Sequence, residues 1–218
     1  MAEQLALDLG TPVAPGETVV SRCNEAAYGL LDEWPRWPHP VVLVTGGVGA
    51  GKSHLAECFA ARAGIAVVPG RTLRGEMALE MAAAGQVAID DADACDDVAL
   101  FHLINAVRNA GATMLLTATT RRQGGLADLD SRLRAVPEVA LEAPDDALLR
   151  RVMLDEFARR QLAVEAQVVD FLTARMERTL HEAVGWVARL DREGLARRRG
   201  PTRPLASRLL QTEAGSRI

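Results

Sequence analysis

The sequence predicts an α/β fold, in which a parallel five-stranded sheet flanked by helices is followed by a small α-helical domain. Short apolar runs alternate with helical patterns as far as Pro144, and a glycine-rich loop follows the first of these runs. Only helical patterns continue beyond Pro144. Strands that alternate with helices form parallel βαβ units, whose sheet is covered by helices on both faces. These three observations define the predicted architecture.

The five apolar runs are the predicted strands. Each is short and is bounded by turn residues or helical patterns, as is typical of buried strands. They are residues 40–45, 64–68, 86–90, 112–117 and 138–142. Helical spacing of apolar residues predicts helices at 54–62, just before 86, at 97–110, 145–160, 164–176 and 178–195, and a short helix after Pro204.

These elements divide the chain into three parts. Residues 1–16 are a short peptide and a Pro/Gly-containing linker, residues 17–144 are the α/β domain, and residues 145–218 are the helical domain with a basic tail. A chain of 218 residues is long enough to bury the core of one α/β domain and a smaller satellite.

Composition limits the classes of function. A formal net charge of −4 argues against nonspecific nucleic-acid binding by the whole surface. The three cysteines, Cys23, Cys58 and Cys95, lack metal-type spacing and indicate a reducing compartment. No apolar run approaches the roughly 18 residues of a membrane span, and the N-terminus lacks the bases of a signal peptide. We therefore expect a soluble cytoplasmic protein without a membrane partner.

The loop GGVGAGKS, residues 46–53, contains the one lysine among the 25 basic residues of the chain. Its spacing, Gly46, four residues, Gly51-Lys52-Ser53, is the pattern of phosphate-binding loops. Glycines let successive backbone N–H groups face an anion, and a compact ammonium fits between phosphates where a guanidinium does not. The sequence predicts that a nucleoside phosphate contacts Gly46, Gly47, Val48, Gly49, Ala50, Gly51, Lys52, Ser53 and His54.

A pair of carboxylates, Asp90 and Asp91, ends the third predicted strand. Acids at the end of a strand are common turn residues, which is the simpler interpretation. In a protein with a phosphate-binding loop, however, the first acid holds Mg²⁺ and the second orients or deprotonates the attacking water. We therefore predict a Mg²⁺ site formed by Asp90 together with the Ser53 hydroxyl.

Five longer segments are informative together: SRCNEAAYGLLDEWPRWPHPVVLVTG, AIDDAD, ALFHLINAVRNAGATMLLTA, LADLDSRLRAVPEVALEAPDDALLRRV and RMERTLHEAVGWVARLDREGLARRR. They resemble the DnaA family of AAA+ proteins, and most of all its shorter Hda-type (HdaA) members. The resemblance covers about residues 17–210 and implies a P-loop AAA+ fold with a helical lid. One segment departs from the family: TTRRQGG at 119–125 lacks the prolines that relatives usually carry there.

The resemblance implies a role for particular residues. ADP or ATP, with ADP favoured, would bind with Mg²⁺ at the loop (Walker A) and at Asp90 and Asp91 (Walker B). The other implied roles are sensor I for Thr117, the arginine finger for Arg132, sensor II for Arg178, and the adenine side of the site for Asn24 with Val20.

Two of these arginines have simpler interpretations. Arg132 has acidic neighbours, so a surface ion pair with Asp128 or Asp130 is the alternative to a finger. Arg178 begins a predicted helix, where the helix dipole disfavours a cation. A nearby anion would explain its position, although Glu177 could serve as that anion.

The N-terminal residues Gln4, Leu5, Leu7 and Leu9 resemble a peptide that binds the DNA polymerase III sliding clamp (β subunit). A polar anchor and spaced leucines can dock an extended chain into an apolar groove. Alone, such a string is more often a stray amphipathic start. The basic tail, with Arg197, Arg198 and Arg199, is either a solvated face or a contact for DNA or an acidic partner.

Together these features predict a regulator that binds the clamp and supplies Arg132 to the ATP held by DnaA. DNA would be reached indirectly through the clamp, because the sequence leaves no room for a helix-turn-helix domain after the lid. The alternatives are an autonomous ATPase of the helicase-loader or transposition-helper type and an adaptor that needs nucleotide only for folding. Self-association into a homo-oligomer is left open.

Overall fold

The structure is a computed structural model that describes residues 19–197 and 200–216. The chain separates into two compact units. One unit, Arg22–Ala143, contains the sheet. The other contains, among the described residues, 19–21 and those that follow Ala143. The leucine-containing peptide at residues 4–9 lies outside the described residues.

Five parallel strands form one sheet in the described part of the chain, which confirms the predicted architecture. The strands are β1 (Val41–Gly46), β2 (Val67–Pro69), β3 (Gln86–Asp90), β4 (Thr113–Ala118) and β5 (Glu138–Leu141). Their order across the sheet is β2-β3-β4-β1-β5, with Val44 opposite Thr117 and Ile89 opposite Leu116. Strand β4 therefore lies between β1 and β3, an order that the sequence does not show.

Helices cover both faces of this sheet. They are α1 (Glu25–Glu33), α2 (Lys52–Ala63), α3 (Ala78–Ala83), α4 (Asp97–Ala110) and α5 (Ala127–Arg134). Helix α4 matches its prediction because both of its ends carry strong local signals. The Asp96 side chain accepts a hydrogen bond from the Ala99 N–H, and Gly111 ends the helix in the left-handed region, with φ 66°.

Two apolar cores lie between the helices and the sheet, one on each face of the sheet. On one face, α3, α4 and α5 pack through residues such as Leu103, Ile104 and Leu129. On the other face, α1 and α2 bury Phe59, whose ring stacks on Trp37 with centroids 5.3 Å apart and meets Trp34 edge-on at 5.6 Å. Each fully buried large side chain contributes about 1.5–3 kcal/mol to folding through apolar burial, so these cores hold the strand ends in place.

The helical unit contains α6 (Asp146–Arg159), α7 (Ala166–Thr173), α8 (Leu180–Arg197) and α9 (Arg203–Ser216). Its core includes Trp186 and Phe157. The Glu156 carboxylate accepts hydrogen bonds from Arg159 and Arg160, which hold its pKa below the ordinary value. Helix α9 is longer than the short helix expected, since a proline in the first turn of a helix leaves the turns after it intact.

None of the helices in the described ranges is both long enough and apolar enough to cross a membrane.

Candidate nucleotide site

The glycine-rich loop joins β1 to α2 and turns through two glycines in the left-handed region. Gly49 has φ 76° and Gly51 has φ 103°, conformations that other residues adopt only at a cost in free energy. Gly46 is required for space instead: a Cβ atom built on it would lie 2.7 Å from the carbonyl oxygen of Leu141 on β5. The loop is therefore fixed both by backbone conformation and by the close approach of the neighbouring strand.

Lys52 is the charged group at the centre of the loop. It is 8% exposed, and its Nζ donates hydrogen bonds to the carbonyl oxygens of Gly46 at 2.8 Å and Gly47 at 3.0 Å. In the described part of the chain, none of the ion pairs includes Lys52. The Lys52 side chain therefore lies at the start of α2, where the positive end of the helix dipole also favours an anion.

Several other loop residues are more accessible. Val48 is 86% exposed, and Ser53 and His54 are exposed in the first turn of α2. Nε2 of His54 lies 3.7 Å from Sγ of Cys58, and this hydrogen bond raises the pKa of the imidazole. No side chain of the described residues caps the start of α2. The first turn of α2 is therefore accessible at Ser53 and His54.

The Thr117 hydroxyl links the two predicted acids. Its Oγ1 donates to Oδ1 of Asp90 at 2.5 Å and accepts from the backbone N–H of Asp91 at 3.1 Å. Thr117 is fully buried at the end of β4, and Asp91 is left-handed, with φ 56°. The hydroxyl thus fixes the Asp90 carboxylate and the turn that follows. The sequence alone did not reveal this hydrogen bond, because the neighbouring positions of β3 and β4 follow only from strand order.

The segment after β4, which departs from the DnaA pattern, is held by two arginines that sequence reasoning missed. Arg121 donates to Oε2 of Glu138 at 2.7 Å, and Arg122 pairs with Asp97 at 2.7 Å. The other carboxylate oxygen of Glu138 accepts from the Thr45 hydroxyl at 2.7 Å. The hydrogen bond from Thr45, followed in importance by that from Arg121, lowers the pKa of Glu138. These ion pairs fix this loop.

The adenine-side residues fall in different units. Asn24 is buried at the start of α1, and its carbonyl oxygen accepts from the N–H groups of Ala27 and Tyr28, both at 3.1 Å. Val20, 56% exposed, belongs to the helical unit. Arg178 belongs to it as well, where it pairs with Asp146 at 2.7 Å and donates to the Pro144 carbonyl at 3.3 Å. The anion beside Arg178 is therefore Asp146 rather than Glu177, and Arg178 precedes α8 by two residues instead of beginning it.

Arg132 lies in the last turn of α5, half-buried. It lines a pocket of about 450 Å³ together with Phe101, Arg108, Asp128, Ser131 and Ala135. Among the described residues, no carboxylate forms an ion pair with Arg132. The alternative in which Asp128 or Asp130 neutralises it is wrong for this structure. Asp130 instead accepts a hydrogen bond from the Gly124 N–H at 3.0 Å.

No protein-family model and no curated protein matches the sequence. Solved structures, however, are similar in fold. Domain III of the Thermotoga maritima replication initiation protein DnaA is 18% identical, with a TM-score of 0.75 over 93% of this chain and 98% of that one. The chain has a DnaA-like AAA+ fold. The Thermotoga maritima RuvB Holliday junction branch migration motor is 16% identical, with a TM-score of 0.73 over 92% of this chain and 72% of that one.

Two longer chains extend beyond the region that matches this one. The AMPPCP-bound DnaA of Aquifex aeolicus is 18% identical, with a TM-score of 0.68 over 82% of this chain. A DNA replication initiation factor is also 18% identical, with a TM-score of 0.70 over 83% of it. This chain spans 64% and 65%, respectively, of the lengths of those two proteins. The resemblance read from the sequence is therefore supported at the level of the AAA+ fold.

The residues present fit a bound phosphate and a hard cation. Gly46 leaves a space that a Cβ would fill, and Lys52, which forms no ion pair with the described residues, places its amino group beside the loop. Mg²⁺ is typically held by one or two protein oxygens together with phosphate oxygens and water. Ser53 and Asp90 provide oxygens of that kind, and Thr117 orients the carboxylate.

The hydrogen bond between Thr117 and Asp90 yields the first prediction. Thr117→Val keeps the side-chain shape but leaves the Asp90 carboxylate and the Asp91 N–H without this partner, which should lower the free energy of unfolding by about 1–3 kcal/mol. Thr117→Ser, which keeps the hydroxyl, should lower the free energy of unfolding by less than Thr117→Val does. Chemical denaturation followed by circular dichroism measures both; equal stability of the valine and wild-type proteins would contradict a structural role for this bond.

Proposed function

We propose that this chain binds ADP or ATP with Mg²⁺ and acts as a negative regulator of DNA replication initiation. In this role it binds the sliding clamp, the β subunit of DNA polymerase III, and stimulates hydrolysis of the ATP held by DnaA. DnaA is thereby left in its ADP form, which does not initiate again. The observation that carries the proposal is the half-buried Arg132, which has no ion-pair partner among the described residues.

The chain's own nucleotide binds at the AAA+ loop. Backbone N–H groups of the loop and of the first turn of α2 contact the phosphates, and the Lys52 ammonium exchanges its carbonyl partners for phosphate oxygens. Ser53 and Asp90 hold Mg²⁺, which neutralises phosphate charge, and Asp91 orients water. Likeness in fold to AMPPCP-bound DnaA supports an adenine nucleotide as the ligand.

The regulatory step uses Arg132 in the site of another protein. A guanidinium that reaches the γ-phosphate stabilises the negative charge spread over its oxygens in the transition state. An arginine already paired with a carboxylate would first have to break that pair. Arg132 needs no such exchange, because neither Asp128 nor Asp130 neutralises it. Gln4, Leu5, Leu7 and Leu9 are proposed to dock on the clamp and bring the chain to newly replicated DNA.

A second candidate function is an autonomous ATPase of the helicase-loader or transposition-helper type. The likeness in fold to the RuvB motor favours it, and Asp90, Asp91 and Thr117 supply the groups that hydrolysis in its own site would need. Turnover of the isolated protein distinguishes the two functions. An autonomous enzyme hydrolyses ATP alone or with DNA, whereas the regulator requires both DnaA and DNA-loaded clamp for its effect.

The nucleotide site is tested by Lys52→Ala. Loss of a charge-assisted contact with phosphate should weaken binding at least tenfold, on the order of 1.5–3 kcal/mol. Nucleotide should also stabilise the variant less against heat, since ligand binding favours only the folded state. Calorimetric titration with ADP and Mg²⁺ measures the affinity. The matched control is Arg62→Ala, at the far end of the same helix, where Arg62 forms an exposed ion pair with Asp32. Equal affinity of the Lys52 variant and this control would refute the nucleotide site.

The arginine finger is tested by Arg132→Ala. The variant should fold, bind nucleotide and bind the clamp, yet lose stimulation of DnaA, because a finger supplied in trans is worth roughly 10³–10⁵ in rate. Arg132→Lys should rescue poorly, since an ammonium lacks the fork of donors. Hydrolysis of DnaA-bound ATP with DNA-loaded clamp is the measurement. Arg134→Ala, an exposed position of the same helix, should behave as wild type. Full stimulation by the Arg132→Ala protein would refute the regulatory mechanism.

Clamp binding is tested by changing Gln4 and Leu5 to alanine together. The double variant should lose binding to the clamp but keep its nucleotide affinity and melting temperature, because both residues precede the predicted core. Size-exclusion chromatography with the purified clamp gives the result. Co-elution of the double variant with the clamp would show that another surface makes the contact.

A further inference from the structure

The pocket beside Arg132 contains a second guanidinium that no motif singled out. Arg108, in the last turn of α4, lines it together with Arg132 in the last turn of α5. Phe101, Ser131 and Asp128 line other parts of it. At about 450 Å³, the pocket has a size within the range of small-ligand sites, roughly 300–1,000 Å³.

The charges of this pocket favour an anion. Arg108 and Arg132 contribute two positive charges against the one negative charge of Asp128. Neither arginine forms an ion pair within the described part of the chain, although Asp128 is one helical turn from Arg132. Two cations that share one pocket repel each other unless an anion lies between them. The hydroxyl of Ser131 adds a neutral donor to the same wall.

Two guanidiniums match the chemistry of a terminal phosphate. Each guanidinium presents a planar fork of donors that fits two oxygens of a phosphate. A γ-phosphoryl group has three non-bridging oxygens, over which negative charge spreads during transfer. One fork leaves part of that charge without a donor, and a second arginine from the adjacent helix can supply one.

We propose that Arg108 is a second arginine acting in trans, which contacts phosphate oxygens of the nucleotide bound by a partner's loop beside the contact made by Arg132. This inference rests on the function proposed above. Arg108 takes no proton and forms no covalent bond. Water attacks the γ-phosphorus, the bond to the leaving oxygen of ADP breaks, and the phosphate leaves with both protons of the water, while both guanidiniums stabilise the developing charge. Helices α4 and α5 thus position the two donors for one ligand.

The test measures hydrolysis of DnaA-bound ATP at increasing concentrations of the full chain, with DNA-loaded clamp. Arg108→Ala should lower the maximal rate about tenfold or more, the effect of one lost contact to a charged group. Arg108→Lys should recover part of the rate that Arg108→Ala loses. The concentration for half-maximal stimulation should change less than the maximal rate, because the contact is made in the transition state. A change confined to the half-maximal concentration would show that Arg108 only docks the partner, and would overturn the proposal.

Two further variants separate this contact from packing and from the function on which it rests. Asp128→Asn removes the negative charge of the pocket, so it should not lower the maximal rate; a loss equal to that of Arg108→Ala would indicate a structural role and refute the proposal. Arg134→Ala is the matched arginine control on α5. If Arg132→Ala abolishes stimulation while Arg108→Ala equals this control, only the second guanidinium is refuted. If Arg132→Ala also stimulates fully, the trans mechanism itself fails.

Discussion

The carboxyl edge of the parallel sheet is the constraint on which the candidate site depends. Parallel strands end at the same edge, which brings Gly46, Thr117 and Asp90 to one side of the sheet. The strand order then places β4 between β1 and β3. The Thr117 hydroxyl then joins neighbouring strands through Asp90 and the Asp91 N–H. Its burial protects these bonds from competition with water, which makes them costly to lose. The phosphate loop and the acids consequently share one rigid support.

Local signals made much of the fold predictable. The strand Gln86–Asp90 and the helix Asp97–Ala110 were predicted with the bounds that the structure has, because each is delimited by turn or capping residues. Strand order was not predictable from these signals, since it depends on contacts between residues distant in sequence. The ion pairs that fix the segment after β4 were not predicted for the same reason. Arg121 and Arg122 bind Glu138 and Asp97, which are distant from them in sequence.

The arginines show where the sequence is least informative about a site. Residue type and neighbouring acids suggested an ion pair for Arg132 as readily as for Arg178, yet the structure pairs only Arg178, with Asp146. Both side chains of that pair are more than half exposed, at 52% and 66%, and such pairs typically contribute only about 0–1 kcal/mol. An exposed ion pair of that kind at Arg132, which forms none with the described residues, would add no more than this. Stability therefore does not decide the pairing, and an unpaired guanidinium is free to serve a partner.

The two parts of the proposed mechanism, nucleotide binding at the loop and the action of Arg132 on a partner, are linked through folding. The phosphate loop and α5, which carries Arg132, belong to the same compact unit, so nucleotide bound at Lys52 stabilises the scaffold that positions the finger. Loss of nucleotide could then reduce stimulation of DnaA indirectly, even if the chain's own site performs no catalysis. A defect at Lys52 cannot distinguish an adaptor from a regulator for this reason. A change at Arg132 does distinguish them, because its guanidinium lies outside both apolar cores and forms no ion pair with the described residues. Removing it should change the group that contacts a partner and leave the fold intact.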